Sequence, residues 1–217
     1  MEIKIVESIA VLEEFLSEHP KARIYLLQVN YPQPHSKSTD NTDAAHIAQK
    51  PMIMASGNVA FEDIELPEYK HIHFTRNHAE YIADLVMRAC IDAVDYFMIL
   101  SDCGSNRANA IAKAICETFG IDHDITAYNE HCYSLQLLIL QRMYRNIDIC
   151  LCQTTGILLR EIADAYHISR ERARQITVEC RPDFLRRCFG LVDKSNALDV
   201  LKVIEKQVPN FKSKFER

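Results

Sequence analysis

Seven consecutive residues carry the most specific chemistry in the chain: Ser101, Asp102, Cys103, Gly104, Ser105, Asn106 and Arg107. An apolar run over residues 96–100 precedes them, and residues 108–119 follow with apolar side chains at helical spacing, so the order is buried strand, tight turn at Gly104, helix. A loop of this kind aims successive backbone N–H groups into a concavity at the positive end of a helix. Arg107 adds a planar, two-pronged donor matched to phosphate oxygens. The expected chemistry is oxyanion binding by residues 102–107. A lone serine hydroxyl at position 101, without a general base to take its proton, stays protonated and is a weak nucleophile.

Cys, five residues, Arg is the signature of the cysteine-dependent protein tyrosine and dual-specificity phosphatases, and residues 101–107 resemble it with Ser101 at the nucleophile position. A thiol of pKa about 8.5 is lowered to a thiolate by a helix N-terminus and a nearby Arg, whereas a hydroxyl is not. The family's Ser or Thr after the Arg is here Ala108. The resemblance implies a phosphate or phosphorylated residue as ligand, a site with little turnover, and no cofactor. It also implies catalytic positions at Ser101, at Arg107 and at Asp63, the candidate general acid, with the aromatic Phe74 downstream. A solvated carboxylate among Glu62, Glu65 and Glu68 is the alternative for Asp63. The rival reading is an active phosphatase, either with Ser101 as a Cys-to-Ser trap or with Cys103 as nucleophile, although a residue two along the loop should point away from the phosphorus.

The elements that must position this loop are legible upstream. Residues 1–6 read as a strand, 7–19 as an amphipathic helix stopped by Pro20, and 22–29 as a second strand. Residues 31–50 form a long polar surface loop. Residues 51–55 and 58–61 read as two strands about a Ser56-Gly57 turn, and 75–90 as a helix with Ala79, Ile82, Ala83, Val86, Met87 and Cys90 on one face. After the signature helix, 120–128 reads as loop, and AYNEHCYSLQLLILQRM, ending at Met143, resembles the closing helix of small bacterial phosphatase-like proteins. The resemblance runs over residues 1 to about 143 and implies an α/β fold with a phosphatase-like central sheet flanked by helices. His71, His73 and His78 are expected to be partly buried imidazoles rather than metal ligands.

A second motif lies near the other end. In residues 157–179, Ile162, Ala163, Ile168, Ala173 and Ile176 fall where two short helices crossing at a tight turn bury small and branched side chains, and Ser169 can cap the second helix with Glu171 in its first turn. This is a helix-turn-helix pattern. Its wording, EIADAYHISRERARQI, resembles the promoter-reading end of bacterial main-family sigma factors, with His167 where Gly is common. The resemblance implies double-stranded DNA as partner, RNA polymerase as a further one, and a recognition helix in the major groove. Ser169, Arg170, Glu171, Arg172, Arg174, Gln175 and Arg181 are the candidate DNA-binding residues, with Arg170, Glu171, Arg172, Arg174 and Gln175 facing outward if Ala173 and Ile176 face in, and Arg181, Arg186 and Arg187 extend the basic surface. A protein-interaction module without DNA contact is the competing reading. Residues 196–207 form a last amphipathic helix with Leu198, Val200, Leu201 and Ile204 apolar, suited to packing or to a dimer seam.

Charge supports two parts. Residues 1–149 hold 12 Lys and Arg against 21 Asp and Glu, while residues 150–217 hold 13 against 9. An acidic body with a basic appendage is the pattern of a chain that meets a polyanion. The expected division is a phosphatase-like domain over 1–146 and an all-α helix-turn-helix region over 147–217. Eight cysteines without a CxxC pair fit reduced, packed thiols. Cys150 and Cys152 could form half of a metal site, but no second pair accompanies them. No apolar run approaches the roughly 18 to 20 residues of a membrane span, and residues 1–8 lack the form of a signal peptide, so a cytoplasmic location is expected.

Overall fold

The computed structural model describes residues 1–30, 45–62, 73–101, 106–179 and 183–215. Two compact units are present, Met1–Leu140 and Gln141–Arg217.

The first unit is mixed α/β. Its four parallel strands, β1 (Glu2–Val6), β2 (Ile24–Asn30), β3 (Ile53–Ala60) and β4 (Tyr96–Ser101), lie in the order β1-β4-β2-β3. The last strand in sequence is thus internal, pairing Phe97 with Ile3 on one side and Ile99 with Leu27 on the other. A parallel strand covered on both faces has no place for polar side chains, and residues 97–100 are apolar and buried throughout. Helix α1 (Ile9–Glu18) packs one face, where Leu12 and Leu16 meet Ile24, Leu26, Met98 and Leu100. The alternate residues Tyr25, Leu27, Val29, Phe97 and Ile99 point the other way and are buried as well. Helix α2 (Arg76–Ile91) packs against β2 and β3, and α3 (Asn106–Phe119) against β1 and β4.

Local chemistry sets the helix ends. Ser8 caps α1 by accepting from the Val11 N–H at 3.3 Å. Thr75 caps α2 in a reciprocal arrangement: its hydroxyl accepts from His78 N–H at 3.5 Å while His78 Nδ1 accepts from Thr75 N–H at 3.2 Å. The imidazole takes the place that Glu or Gln usually fills. An accepting Nδ1 must be unprotonated, and burial lowers the His78 pKa in the same direction.

Three expectations are corrected. Residues 51–61 hold one strand, β3, rather than two about a turn. Gly57 sits inside it because α2 comes close: a Cβ there would lie 2.7 Å from Tyr81 Oη and 2.9 Å from Leu85 Cδ2. The end of the expected 31–50 surface loop is not loop, since residues 45–47 are helical and Ile47 packs into the α1 core; residues 31–44 lie outside the described residues. The closing helix, α4 (Glu130–Thr154), is 25 residues long and does not stop near residue 143, for the sequence offers no Gly or Pro until Gly156.

Every described element of the second unit is helical: the end of α4, then α5 (Leu159–Tyr166), α6 (Arg170–Glu179), α7 (Asp183–Phe189) and α8 (Ala197–Gln207). Val200, Leu201 and Ile204 of α8 are buried, whereas Leu198 is 40% exposed. A buried carboxylate, Asp148, ties the unit together. It accepts from the Tyr166 hydroxyl, from Cys152 Sγ at 3.3 Å and from the Lys214 N–H at 3.0 Å. Among the described residues no helix is long and apolar enough to cross a membrane.

The close approach at Gly57 predicts that Gly57→Ala lowers the stability of the whole chain by roughly 1–3 kcal/mol, because α2 must move or Leu85 leave its rotamer. Urea unfolding followed by circular dichroism checks it.

Candidate functional site

Parallel strands end with carbonyl oxygens that have no further ladder partner, and such groups must find a donor or water. At the carboxyl edge of this sheet the donor is Arg107, in the first turn of α3. Its Nη1 donates to the carbonyl oxygen of Asn30 at 2.8 Å and to that of Phe61 at 2.6 Å. Asn30 is the last residue of β2, and Phe61 directly follows β3. One side chain from α3 therefore joins the ends of two neighbouring strands. Arg107 is 1% exposed and Ser101, at the end of β4, is 3% exposed.

The guanidinium also has an aromatic neighbour. Its Cζ lies 5.7 Å from the centroid of the Phe61 ring, which in turn contacts Phe74 at 4.8 Å and stacks on His78 at 5.8 Å. The negative face of an aromatic ring lowers the cost of a buried cation. His131 Nε2 lies 2.9 Å from the Phe74 carbonyl and secures the far side of the cluster. Arginine has five N–H donors in a rigid plane. Two of them, on Nη1, are spent on main chain, which fixes that plane; the Nε–Nη2 edge is the fork whose spacing suits two oxygens of an oxyanion.

Of the residues predicted for this site, Ser101, Asn106 and Arg107 are described: Ser101 ends β4, Asn106 and Arg107 open α3, and Arg107 reaches the ends of β2 and β3. Asp102, Cys103, Gly104, Ser105 and the candidate acid Asp63 lie outside the described residues, as does His71. Phe74 is a core ring against Phe61, and Ala108 is fully buried. Sequence reading missed Asn30 and Phe61. Both act through carbonyl oxygens, which every residue has, so their side-chain types give no signal.

In the second unit α5 and α6 are separated by residues 167–169. His167 closes α5 in the left-handed region, φ 52°, and the Ile168 N–H donates to the Ala163 carbonyl at 3.0 Å. Ser169 Oγ then accepts from the Arg172 N–H at 3.0 Å and caps α6. Ile162, Ala163, Ala173 and Ile176 are buried between the two helices, as the spacing predicts. Arg170, Glu171 and Arg174 are exposed. Arg172 and Gln175, predicted to face outward, are half-buried on the flank of α6 and bond to one another, Arg172 Nη1 to Gln175 Oε1 at 3.2 Å. Each sits one helical step from a buried neighbour, which turns it partly out of solvent.

Arg174 donates from Nε and Nη2 to the two Glu171 carboxylate oxygens at 2.9 and 2.7 Å, which holds the Glu171 carboxyl below its usual range. Arg186 and Arg187 on α7 are exposed, and Arg181 lies outside the described residues. A cavity of about 930 Å³ beside α6 is lined by Leu159, Arg174, Val178, Arg186 and Leu191 among others. Cys150 and Cys152 are core thiols: Cys150 Sγ donates to the Ile176 carbonyl at 3.6 Å, and Cys152 reaches Asp148. Among the described residues no group of His, Cys, Asp or Glu suits a metal ion.

No family model, no curated protein and no solved structure matches the chain.

Two outcomes follow from this geometry. Arg107→Met, which keeps much of the volume but leaves two buried carbonyls without their donor, should cost about 2–5 kcal/mol in urea unfolding of the full chain. At the other site, His167→Gly removes the Cβ from a left-handed residue and should raise stability by about 0.5–1 kcal/mol in the same measurement.

Proposed function

We propose that the chain is a cytoplasmic DNA-binding protein of the transcription-regulator kind whose first unit, a phosphatase-like domain, holds a phosphate or phosphorylated residue without turning it over. The DNA half is carried by one observation above all: α6 buries Ala173 and Ile176, is capped by Ser169 and exposes Arg170, Glu171 and Arg174 on its open side. A helix so presented has donors and acceptors able to meet phosphates and the base edges of a major groove. The basic balance of residues 150–217 supports the same reading.

The anion half rests on the sequence of residues 101–107 and on the place of Arg107 at the sheet edge. The carboxyl edge of a parallel sheet is where open α/β sheets take their ligands, and Arg107 stands there with its plane fixed by the Asn30 and Phe61 carbonyls. Ser101 supplies a hydroxyl where a thiolate would be needed for displacement at phosphorus, and Ala108 supplies no hydroxyl to assist a leaving group. Binding without turnover is the consequence. RNA polymerase and a second copy of the chain are further partners compatible with a regulator.

Binding to duplex DNA should weaken steeply with salt, and Arg170→Ala or Arg174→Ala should each lower affinity and flatten the log–log salt slope by about 0.9 for each phosphate that is no longer neutralised. Fluorescence anisotropy with a labelled duplex measures both, and no association at about 50 mM salt would sink the DNA half. For the first unit, the chain should leave an aryl phosphate intact, and Ser101→Cys should reveal whether the remaining scaffold supports displacement. Turnover by the unmodified chain, abolished in an Arg107→Lys variant that still folds, would overturn the inactive-site reading.

A further inference from the structure

The cavity of about 930 Å³ lies wholly among residues of the second unit, where the end of α4, the start of α5, the second half of α6 and the end of α7 meet the segment 190–193. Its walls are apolar at Leu159, Val178, Leu191 and Val192. Val178 is 62% and Leu191 79% exposed. Clustered apolar side chains left in water mark a surface that meets a partner. A polyanion gains nothing from them, so the DNA-binding reading does not account for this face.

Size argues for a small molecule. Ligand cavities run from roughly 300 to 1,000 Å³. Each partner in a stable protein interface covers about 800 Å² with roughly 20–30 residues, far more than these walls supply.

Charge argues for an anion. Two of the charged side chains on the cavity are committed elsewhere: Arg174 gives its Nε–Nη2 edge to Glu171, and the Asp193 carboxylate accepts from the Ser195 N–H at 2.8 Å and from the Ser195 hydroxyl at 2.6 Å. The Thr177 hydroxyl is spent on the Arg174 carbonyl at 2.8 Å. Arg186, in the last turn of α7, is exposed, and no ion pair among the described residues engages it. Gln153, half-buried, adds an uncharged amide. One such guanidinium balances one negative charge, and its planar fork matches a carboxylate. A phosphate dianion would bring a second charge beside Asp193 with nothing to offset it.

We propose that this cavity is a binding site for a small amphipathic carboxylate, a medium-chain acid whose alkyl body lies on Leu159, Val178, Leu191 and Val192 and whose carboxylate is held by Arg186. The site stands apart from the DNA-binding and oxyanion readings, since neither a duplex nor a phosphate fills it.

Isothermal titration of the full chain with octanoate, octanol and octylamine tests the proposal. Octanoate should bind with a single saturable equivalent, about tenfold or more tighter than octanol, and octylamine should bind more weakly than either. Arg186→Gln should weaken octanoate about tenfold and change octanol less than about threefold. Val178→Ser combined with Leu191→Ser should weaken both, because the alkyl body loses its wall. Absence of saturable octanoate binding, equal affinity for octanoate and octanol, or indifference of octanoate to Arg186→Gln would each overturn the proposal. So would a parent chain that sediments as a dimer and becomes monomeric in the double serine variant, for the face would then be covered by a second copy. Arg186, Val178 and Leu191 are exposed, so matching circular dichroism spectra are expected for all variants, and the comparison of octanoate with octanol on the parent chain decides the matter whether or not a variant folds.

Discussion

A positive charge buried at the carboxyl edge of the sheet ties the start of α3 to the ends of β2 and β3. Moving an ion out of water costs several kcal/mol unless hydrogen bonds replace its hydration. For Arg107 the replacement is the pair of carbonyl oxygens at the ends of β2 and β3, with the Phe61 ring against the guanidinium. The dependence is mutual. Those oxygens need the donor as much as the cation needs them, so the start of α3 and the ends of two strands keep a common geometry or leave buried polar groups unsatisfied. Proteins accept such a cost more readily where position matters than where only stability does, and this accords with the oxyanion-binding role proposed for the loop.

The second unit uses a charge of the opposite sign. Asp148 is buried on α4 and collects donors from α5, from its own helix and from the C-terminal segment. Burial, and then the hydrogen bond to Asp148, push the Tyr166 phenol upward, so the hydroxyl stays protonated and remains a donor. Lys214 strengthens the strap by donating from Nζ to the Ala165 carbonyl at 3.1 Å and lying 4.6 Å from the Tyr166 ring centroid. With the end of α5 and the tail so held, the turn at His167 and the start of α6 acquire a fixed direction. The DNA-reading role proposed for α6 would require that rigidity, because side chains that read bases work only if their helix does not wander.

Much of this was legible in the chain as written. Continuous apolar runs marked β2 and β4, the 3.6-residue spacing marked α2, α3 and α8, and the cap at Ser169 marked the start of α6. Misreadings came where a residue's role depends on something distant. Ser56-Gly57 has the composition of a turn, but Gly57 is small because α2 passes over the strand. The expected end of the closing helix followed the extent of a resemblance, while the backbone continued until Gly156 allowed it to stop. Arg172 and Gln175 were placed on the open face because Ala173 and Ile176 turn inward, yet each lies beside one of those buried residues and is itself half-buried.

The sequence by itself determined strands β1, β2 and β4, most of the helices and the burial of the two-helix turn, because these depend on periodicity, capping and turn chemistry within a few residues. Only the tertiary structure decided the strand order β1-β4-β2-β3, the meeting of Arg107 with Asn30 and Phe61, and the pairing of Glu171 with Arg174. The first two join groups far apart in sequence through main-chain atoms that carry no compositional mark. The third is close in sequence, but several rotamers were open to each side chain, and which one is adopted depends on the surface that the folded unit leaves around it.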